Sequence, residues 1–338
     1  MPVNPIFEKK NVLVLGGAGF IGSHLCEKLL KEAKVICADN FINSSERNID
    51  HLLQLPDFEF IKADINQPLD LESFSELENF KLKFQGIQEV YHLACPTSIK
   101  NFEQYKMDTI TAQSAGTKNA LDLAVKYKAK FLFASSSVVY GPRREETPYF
   151  REEDVGVVDQ LTQRACYDEG KRFGETMTET YRQVTGIDAK IARVFRTYGP
   201  RQRLFDGEMI PDFITDAIDN RDLVIYGDES FDTSLTYVAD VVDGLMKIMK
   251  SPPTIGPVNI GTDSKVKIVD VAKKIIELTG SKSKIVFEPG MLFLTPLGVP
   301  DLRKAKEMLG WLPLVRLEDG LKKSIDYALA HKSLLGLS

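Results

Sequence analysis

Through the first two-thirds of the chain, short β-branched runs alternate with longer amphipathic stretches, the pattern of a parallel sheet wrapped by crossover helices. The strand-like runs are residues 11–15, 34–38, 58–62, 89–93, 130–134 and 188–194, and helices are predicted over 21–31, 109–127 and 167–185. This is an α/β pattern with a doubly wound parallel sheet built outwards from the N-terminal half. After Pro200 the alternation becomes irregular: a loop over 201–208, a helix near 211–220 and Pro-rich connectors at 251–257 and 295–300. That part reads as a smaller C-terminal lobe laid over the sheet. The expected division gives residues 1–195, with about 236–261, to the sheet domain, and 196–235 with 262–338 to the lobe.

Composition narrows the function classes. A chain of 338 residues with 43% hydrophobic positions can bury a sizeable core. Its formal charge of -5, with both signs mixed along the length, offers no field for a polyanion, so no nucleic-acid partner is expected. Cys26, Cys37, Cys95 and Cys166 lie far apart without metal-ligand or disulfide spacing, which fits a reducing cytoplasm. His24, His51, His92 and His331 show no mutual spacing for a metal, and His92, at a strand end, reads as a structural histidine. Residues 1–10 hold no apolar signal core, and no apolar run approaches the ~20 residues that cross a bilayer, so no membrane partner is expected.

The first strand runs into Gly16-Gly17-Ala18-Gly19-Phe20-Ile21-Gly22, which opens directly into a helix. Glycines there permit a tight turn and let backbone N–H groups approach a pyrophosphate at the positive end of the helix dipole. The next strand ends in Asp39, 17 residues beyond Gly22, where a carboxylate can accept both ribose hydroxyls of an adenosine. No Arg follows directly to welcome a 2′-phosphate, so NAD is favoured over NADP. The plain alternative is that Asp39 closes a turn with Asn40. Asp64-Ile65, ending the third strand, is a further candidate for the adenine edge, or another turn.

Tyr167 and Lys171 stand four apart, on one face of a predicted helix. Removing a hydride from a carbinol requires the hydroxyl proton to leave too, and a phenolate can take it once its pKa of roughly 10 is lowered. A neighbouring ammonium and a positive nicotinamide both favour the phenolate. Any Tyr and Lys at this spacing could be an amphipathic coincidence. Here the helix follows a long loop after Ser135-Ser136-Ser137 at a strand end, where open α/β sheets place ligands. Ser136, with Ser137 in reserve, could donate to the substrate oxygen, or the triplet could be only a polar strand terminus.

The segments NVLVLGGAGFIGSHL, VICADNF, VYHLAC, FLFASSSVVYG, RACYDEGKR, ARVFRTYGPR and VPDLRKAKEMLGW recur in order over nearly the whole chain. In these the sequence resembles the extended short-chain dehydrogenases/reductases of the nucleotide-sugar epimerase/dehydratase type, with YDEGKR spelled as in UDP-glucuronate decarboxylase-like members. The resemblance implies a Rossmann sheet, bound NAD, and a nucleotide sugar, UDP-linked in the nearest members, oxidised to a 4-keto stage. It implies cofactor contacts at Gly16, Gly19, Phe20, Ile21, Gly22, Asp39, Asn40, Asp64, Ile65, Leu93, Ala94, Tyr167, Lys171 and Phe195. Catalysis falls to Tyr167, Lys171, Ser136 and Ser137, and substrate contacts to Arg196, Thr197, Arg201 and Tyr226. It also implies a homodimer through the apolar stripes of 109–127 and 167–185, unless those stripes only pack on the sheet.

Departures from the decarboxylase spelling bear on the fate of the 4-keto sugar. Val138 stands where those members carry Glu, and the Asp-Glu pair that a 4,6-dehydratase needs is absent there. Thr233 and Gly298 stand where relatives place an arginine for carboxylate or diphosphate, and Arg196 replaces a usual Asn. Gln113 stands for another Asn and is expected to pack beneath the active helix. The expectation is C4 epimerisation of a UDP-sugar, with UDP-glucuronate decarboxylation as the alternative and a non-catalytic NAD-binding regulator as a third.

Overall fold

The structure is a computed structural model that describes residues 9–97, 102–143, 148–289 and 298–331. Part of the 295–300 connector and the outer ends of the two expected domains lie outside the described residues. Seven strands form the central sheet: β1 (Lys10–Leu15), β2 (Ala33–Asp39), β3 (Phe58–Lys62), β4 (Glu89–His92), β5 (Lys130–Ser136), β6 (Ala189–Val194) and β7 (Val258–Ile260). All pair in parallel, in the order β3-β2-β1-β4-β5-β6-β7. Strand order reverses between β1 and β4, which opens a crevice at the carboxyl ends of the strands.

Among the described residues the helices of seven residues or more are α1 (Phe20–Leu29), α2 (Phe102–Thr111), α3 (Thr117–Tyr127), α4 (Ala165–Thr185), α5 (Met209–Ile218), α6 (Val238–Lys250), α7 (Ile268–Thr279), α8 (Arg303–Leu309) and α9 (Leu317–Ala330). Alternate residues of β1 feed two cores: Val12 and Val14 pack with Leu25 of α1 and Val241 of α6, whereas Leu13 and Leu15 pack with Leu121 of α3. Both faces of the sheet are therefore covered, as a parallel sheet demands.

All six predicted strands form. The seventh, β7, is three residues long with Asn259 at its centre, too short and too polar for periodicity to reveal. Asn259 is tolerated there because its amide donates to Phe150 O (2.9 Å) and accepts from Tyr140 OH (2.7 Å). The helix predicted over 109–127 begins earlier and is interrupted by a π turn, Ala112–Gly116, between α2 and α3. Four helices, α6 to α9, occupy stretches whose pattern is irregular or predicts no element. They gain their stability from tertiary partners: Trp311 Nε1 donates to Asp240 O (3.1 Å), and Val315 N to Asp240 Oδ2 (2.9 Å).

The seating of α4 on the sheet is set by glycine and one ion pair. A Cβ at Gly174 would lie 2.3 Å from Phe133 Cζ, so only glycine lets the helix approach β5 this closely. Arg193 of β6 forks onto Glu175 of α4, with Nη2 to Oε2 at 2.7 Å and Nε to Oε1 at 2.9 Å. Ser135 Oγ donates to the same Oε1 at 2.5 Å. Both charged side chains are nearly buried, at 11% and 13% exposure. Removing one partner strands the other charge, so Arg193→Met is expected to lose about 3–5 kcal/mol of stability. Urea denaturation of the two proteins checks this, and an unchanged midpoint would show that the pair does not hold the helix.

Candidate active site

A cleft of about 890 Å³ runs along the carboxyl ends of the strands. One end is the loop between β1 and α1. Gly16 takes φ +79°, and a Cβ there would sit 2.7 Å from Ala94 N. A Cβ at Gly22 would lie 2.1 Å from Gly16 O, so the loop closes only on glycine. Gly19 starts α1 without a side-chain cap, which leaves first-turn N–H groups for an anion.

Asp39 serves the loop more heavily than expected. Its Oδ1 accepts from Phe41 N (2.9 Å) and Ser44 Oγ (2.7 Å), and its Oδ2 from Ala18 N (3.0 Å). Oδ2 keeps one acceptor site free, and Oδ1 gains one only if the Ser44 hydroxyl rotates away. The turn-closing role and a ribose contact are thus compatible. Asn40 accepts from Ile42 N (3.0 Å), and Asp64 closes its own turn onto Asn66 N (3.0 Å). The glycine cradle, the uncapped helix and the residual acceptor together fit a dinucleotide. Phe20, Ile21, Ile65, Leu93, Ala94 and Phe195 line the same cleft.

Across the cleft, α4 and β5 bring Tyr167, Lys171, Ser136 and Ser137 together. The Ser136 hydroxyl lies close enough to the Tyr167 phenol to favour its ionised form slightly, and its Oγ accepts from Val138 N (3.4 Å) at the head of the following turn. The electrostatics differ from the expectation that Lys171 lowers the phenol. Lys171 Nζ donates to Ala134 O at 2.7 Å and stands 5.8 Å from the Tyr167 ring centroid. Burial pushes the phenol well up, and the charge of Arg164 only partly opposes it. Burial also pushes the Lys171 ammonium down.

Arg196 and Thr197 line the cleft as well; burial lowers the Arg196 guanidinium, which faces Glu208 and feels Arg164. Arg201 also lines it but bonds Glu27 and His51, the latter at 3.2 Å. Tyr226 is not among the cleft residues; it lies in the Leu223–Tyr226 strand, which pairs with Ile285–Glu288. Gly298 and Thr233 are also outside it. A Cβ at Gly298 would lie 2.7 Å from the Phe150 ring, so a side chain there would have to displace that ring. Gln113 is fully buried, and a Cβ at Gly170 of α4 would meet its Cγ at 2.9 Å, which agrees with packing beneath the active helix. His92 is buried and bonds Thr117 Oγ1 (3.1 Å); burial, aided by Lys171, holds its pKa at about 3.

Two residues that the sequence does not single out complete the cleft, Arg164 and Glu208. Arg164 bonds Asp168 (3.2 Å), and its guanidinium carbon lies 5.4 Å from the Tyr167 ring centroid. Glu208 lies at the head of α5, where burial raises its carboxyl against the pull of Arg196 and Arg164. Arg164 immediately precedes the helix and is within reach of a spacing argument. Glu208 gives no local signal, because a Glu after Asp206-Gly207 is ordinary loop composition.

The fold and cleft define a dinucleotide-dependent enzyme of the doubly wound α/β class. The model of the NAD dependent epimerase/dehydratase family matches residues 12–261, and the chain belongs to that family. It is 38% identical over 329 residues to a UDP-glucuronic acid decarboxylase 1 from Xenopus tropicalis, covering 96% of this chain and 74% of the relative. Among solved structures, an epimerase from Methanothermobacter thermautotrophicus superposes with TM-score 0.85 at 27% identity, covering 98% and 95% of the two chains. A UDP-glucuronic acid 4-epimerase from Bacillus cereus, solved with UDP-glucuronic acid and NAD, gives 0.81 at 28% identity, covering 95% and 99%. The chain is thus an NAD-dependent enzyme of this extended short-chain dehydrogenase group. No helix among the described residues is long and apolar enough to cross a membrane.

Gly22→Ala tests the cradle. The added methyl overlaps Gly16 O, and the affinity for NAD is expected to fall at least about tenfold, or ~1.4 kcal/mol. Isothermal titration with NAD measures it, and unchanged affinity would remove the loop from cofactor binding.

Proposed function

We propose that this enzyme converts a UDP-linked sugar through a 4-keto stage, and that its reaction is the decarboxylation of UDP-glucuronate. The observation that carries the reading is that Tyr167, Ser136 and Lys171 share one cleft with Arg164, Arg196 and the glycine loop. A curated decarboxylase matches 96% of the chain at 38% identity, which moves this reading ahead of the C4 epimerisation expected from the sequence. Val138 supports epimerisation as the second reading, since an apolar residue there leaves no carboxyl beside Ser137.

In this scheme residues 1–195 with 236–261 hold the dinucleotide, and 196–235 with 262–338 close over the sugar. The glycine loop and the first turn of α1 take the pyrophosphate and Asp39 a ribose hydroxyl, with Asn40, Asp64 and Ile65 towards the adenine. Leu93, Ala94 and Phe195 pack against the cofactor. NAD, when bound, supplies the hydride acceptor and donor as well as a positive charge. Tyr167 receives the proton of the sugar O4 hydroxyl, Ser136 holds that oxygen, and Lys171 reaches the nicotinamide ribose. Because burial raises the phenol and Lys171 is engaged by Ala134 O, the phenolate depends on positive charge arriving with the ligands. Arg196 and Arg164 grip the sugar carboxylate, for which a planar fork is the natural partner.

Met107, Phe173 and Val184 on α2 and α4 are 74%, 49% and 78% exposed, and we assign this face to a second copy of the chain. Sedimentation equilibrium is expected to give twice the chain mass, and a monomer at micromolar concentration would refute the assignment. The reaction is tested by incubating enzyme and NAD with UDP-glucuronate and a panel of UDP-sugars. Loss of carbon dioxide is expected, whereas a product of unchanged mass would establish epimerisation. Tyr167→Phe is expected to lower turnover about 10²–10⁴-fold. If no sugar reacts, the regulator reading replaces the enzyme reading.

A further inference from the structure

We propose that Glu208 is the acid that protonates sugar C5 after carbon dioxide leaves, in place of the carboxyl that position 138 does not carry. The inference rests on the decarboxylase reading of the same site. Val138 and Glu208 line the same cleft, one from the turn after β5 and the other from the head of α5. Arg164 ties Glu208 to the reacting end, because its charge acts on Tyr167 and on Glu208 alike. Of the other carboxylates along the cleft, Asp39 and Asp64 close turns, Glu103 pairs with Lys106 at 2.7 Å and Asp206 faces Arg203 at 3.9 Å, while Asp108 of α2 is the comparison carboxylate for Glu208. Glu208 makes no ion pair within 4 Å among the described residues, although Arg196 and Arg164 stand near enough to act on it.

The chemistry needs such a group. When a 4-keto uronate loses carbon dioxide, the C5–C6 bond breaks and its electron pair passes to the C4 oxygen as an enolate. The Glu208 O–H bond then breaks, the proton goes to C5, and the C4 carbonyl re-forms. The carboxylate left behind regains a proton from solvent, so the cycle consumes one proton and needs no further reactant.

Substrate binding loads the donor. The groups acting on Glu208 are Arg196 from the end of β6, Arg164 beside α4 and Asp206 in its own loop, while Asp212 on α5 feels it in turn. Burial favours the protonated carboxyl of Glu208, and the two arginines oppose it. A sugar carboxylate arriving at the same arginines takes up their charge and adds a like charge beside Glu208. Both changes favour the neutral acid.

The test compares wild type with Glu208→Gln. Calorimetry of UDP-glucuronate binding to the NAD-loaded enzyme in a Tyr167→Phe background, which slows turnover, in buffers of different ionisation enthalpy, is expected to show proton uptake with Glu208 and none with Glu208→Gln. Release of the decarboxylated UDP-sugar by the variant is expected to fall about 100-fold while reduced nicotinamide and 4-keto sugar still form. Val138→Glu added to Glu208→Gln, and Glu208→Asp alone, are expected to recover part of the loss, which separates lost acid from lost fold. Asp108→Asn, a cleft carboxylate on α2, serves as control and keeps wild-type turnover. A wild type that releases carbon dioxide with Glu208→Gln unimpaired overturns the role of Glu208 alone. A wild type that releases none overturns the decarboxylase reading with it.

Discussion

The cleft depends on how closely α4 lies against β5. Gly170 and Gly174 stand four apart on that helix, so one stripe of it lacks side chains and rests on Gln113 and the Phe133 ring. Two interior glycines cost a helix roughly 1 kcal/mol each relative to alanine. The packing they allow, locked by the Arg193 fork onto Glu175, outweighs that cost. The position of Lys171 is a geometric consequence: at this separation its Nζ reaches the Ala134 carbonyl, and Tyr167, one turn earlier, meets Ser136. Close helix-to-sheet approach therefore comes first, and the pairing of phenol, ammonium and hydroxyl derives from it.

Electrostatically, the surroundings of Tyr167 and Glu208 disfavour charge. Burial lifts Tyr167 and Glu208 and depresses Lys171 and Arg196, so each is driven towards its neutral form. Two charges 4 Å apart interact by about 4 kcal/mol at an effective dielectric of 20, several times the value in water. Charged ligand groups entering here thus change protonation states far more than they would at a surface. A dinucleotide with a positive ring and an anionic sugar would complete the charge pattern the side chains leave open.

The sheet is legible in the sequence because each strand of a doubly wound fold carries its own apolar run, and the glycine loop because its spacing is imposed by backbone contact. Tyr167, Lys171 and Ser136 are legible for a related reason: helix spacing and strand ends are local. The features that escape are non-local. Asn259 sits in a strand only because Tyr140 and Phe150 satisfy it, and α6 to α9 depend on partners such as Asp240 and Trp311. Tyr226, expected at the sugar by resemblance, does not line the cleft; its strand pairs with residues 285–288. Glu208 cannot be found from its neighbours in sequence, since its meaning lies in Arg196 and Arg164, twelve and forty-four residues away.

The departures in spelling form one rearrangement. Gly298 is a packing position against Phe150, and Thr233 is buried beside Asp232, which Arg143 engages, so neither site can supply a guanidinium to the cleft. Positive charge is carried instead by Arg196, at the end of β6, and by Arg164, at the start of α4. Groups fixed at the ends of a strand and a long helix are held more tightly than groups on connecting loops. Under the decarboxylase reading, a grip by these two arginines would place the sugar carboxylate and Glu208 under the same two charges, one of which, Arg164, also acts on the Tyr167 phenol. On that reading, recognition of the anion and protonation of the carbon beside it would be a single electrostatic problem, one that a carboxyl on Val138's turn would not be needed to solve.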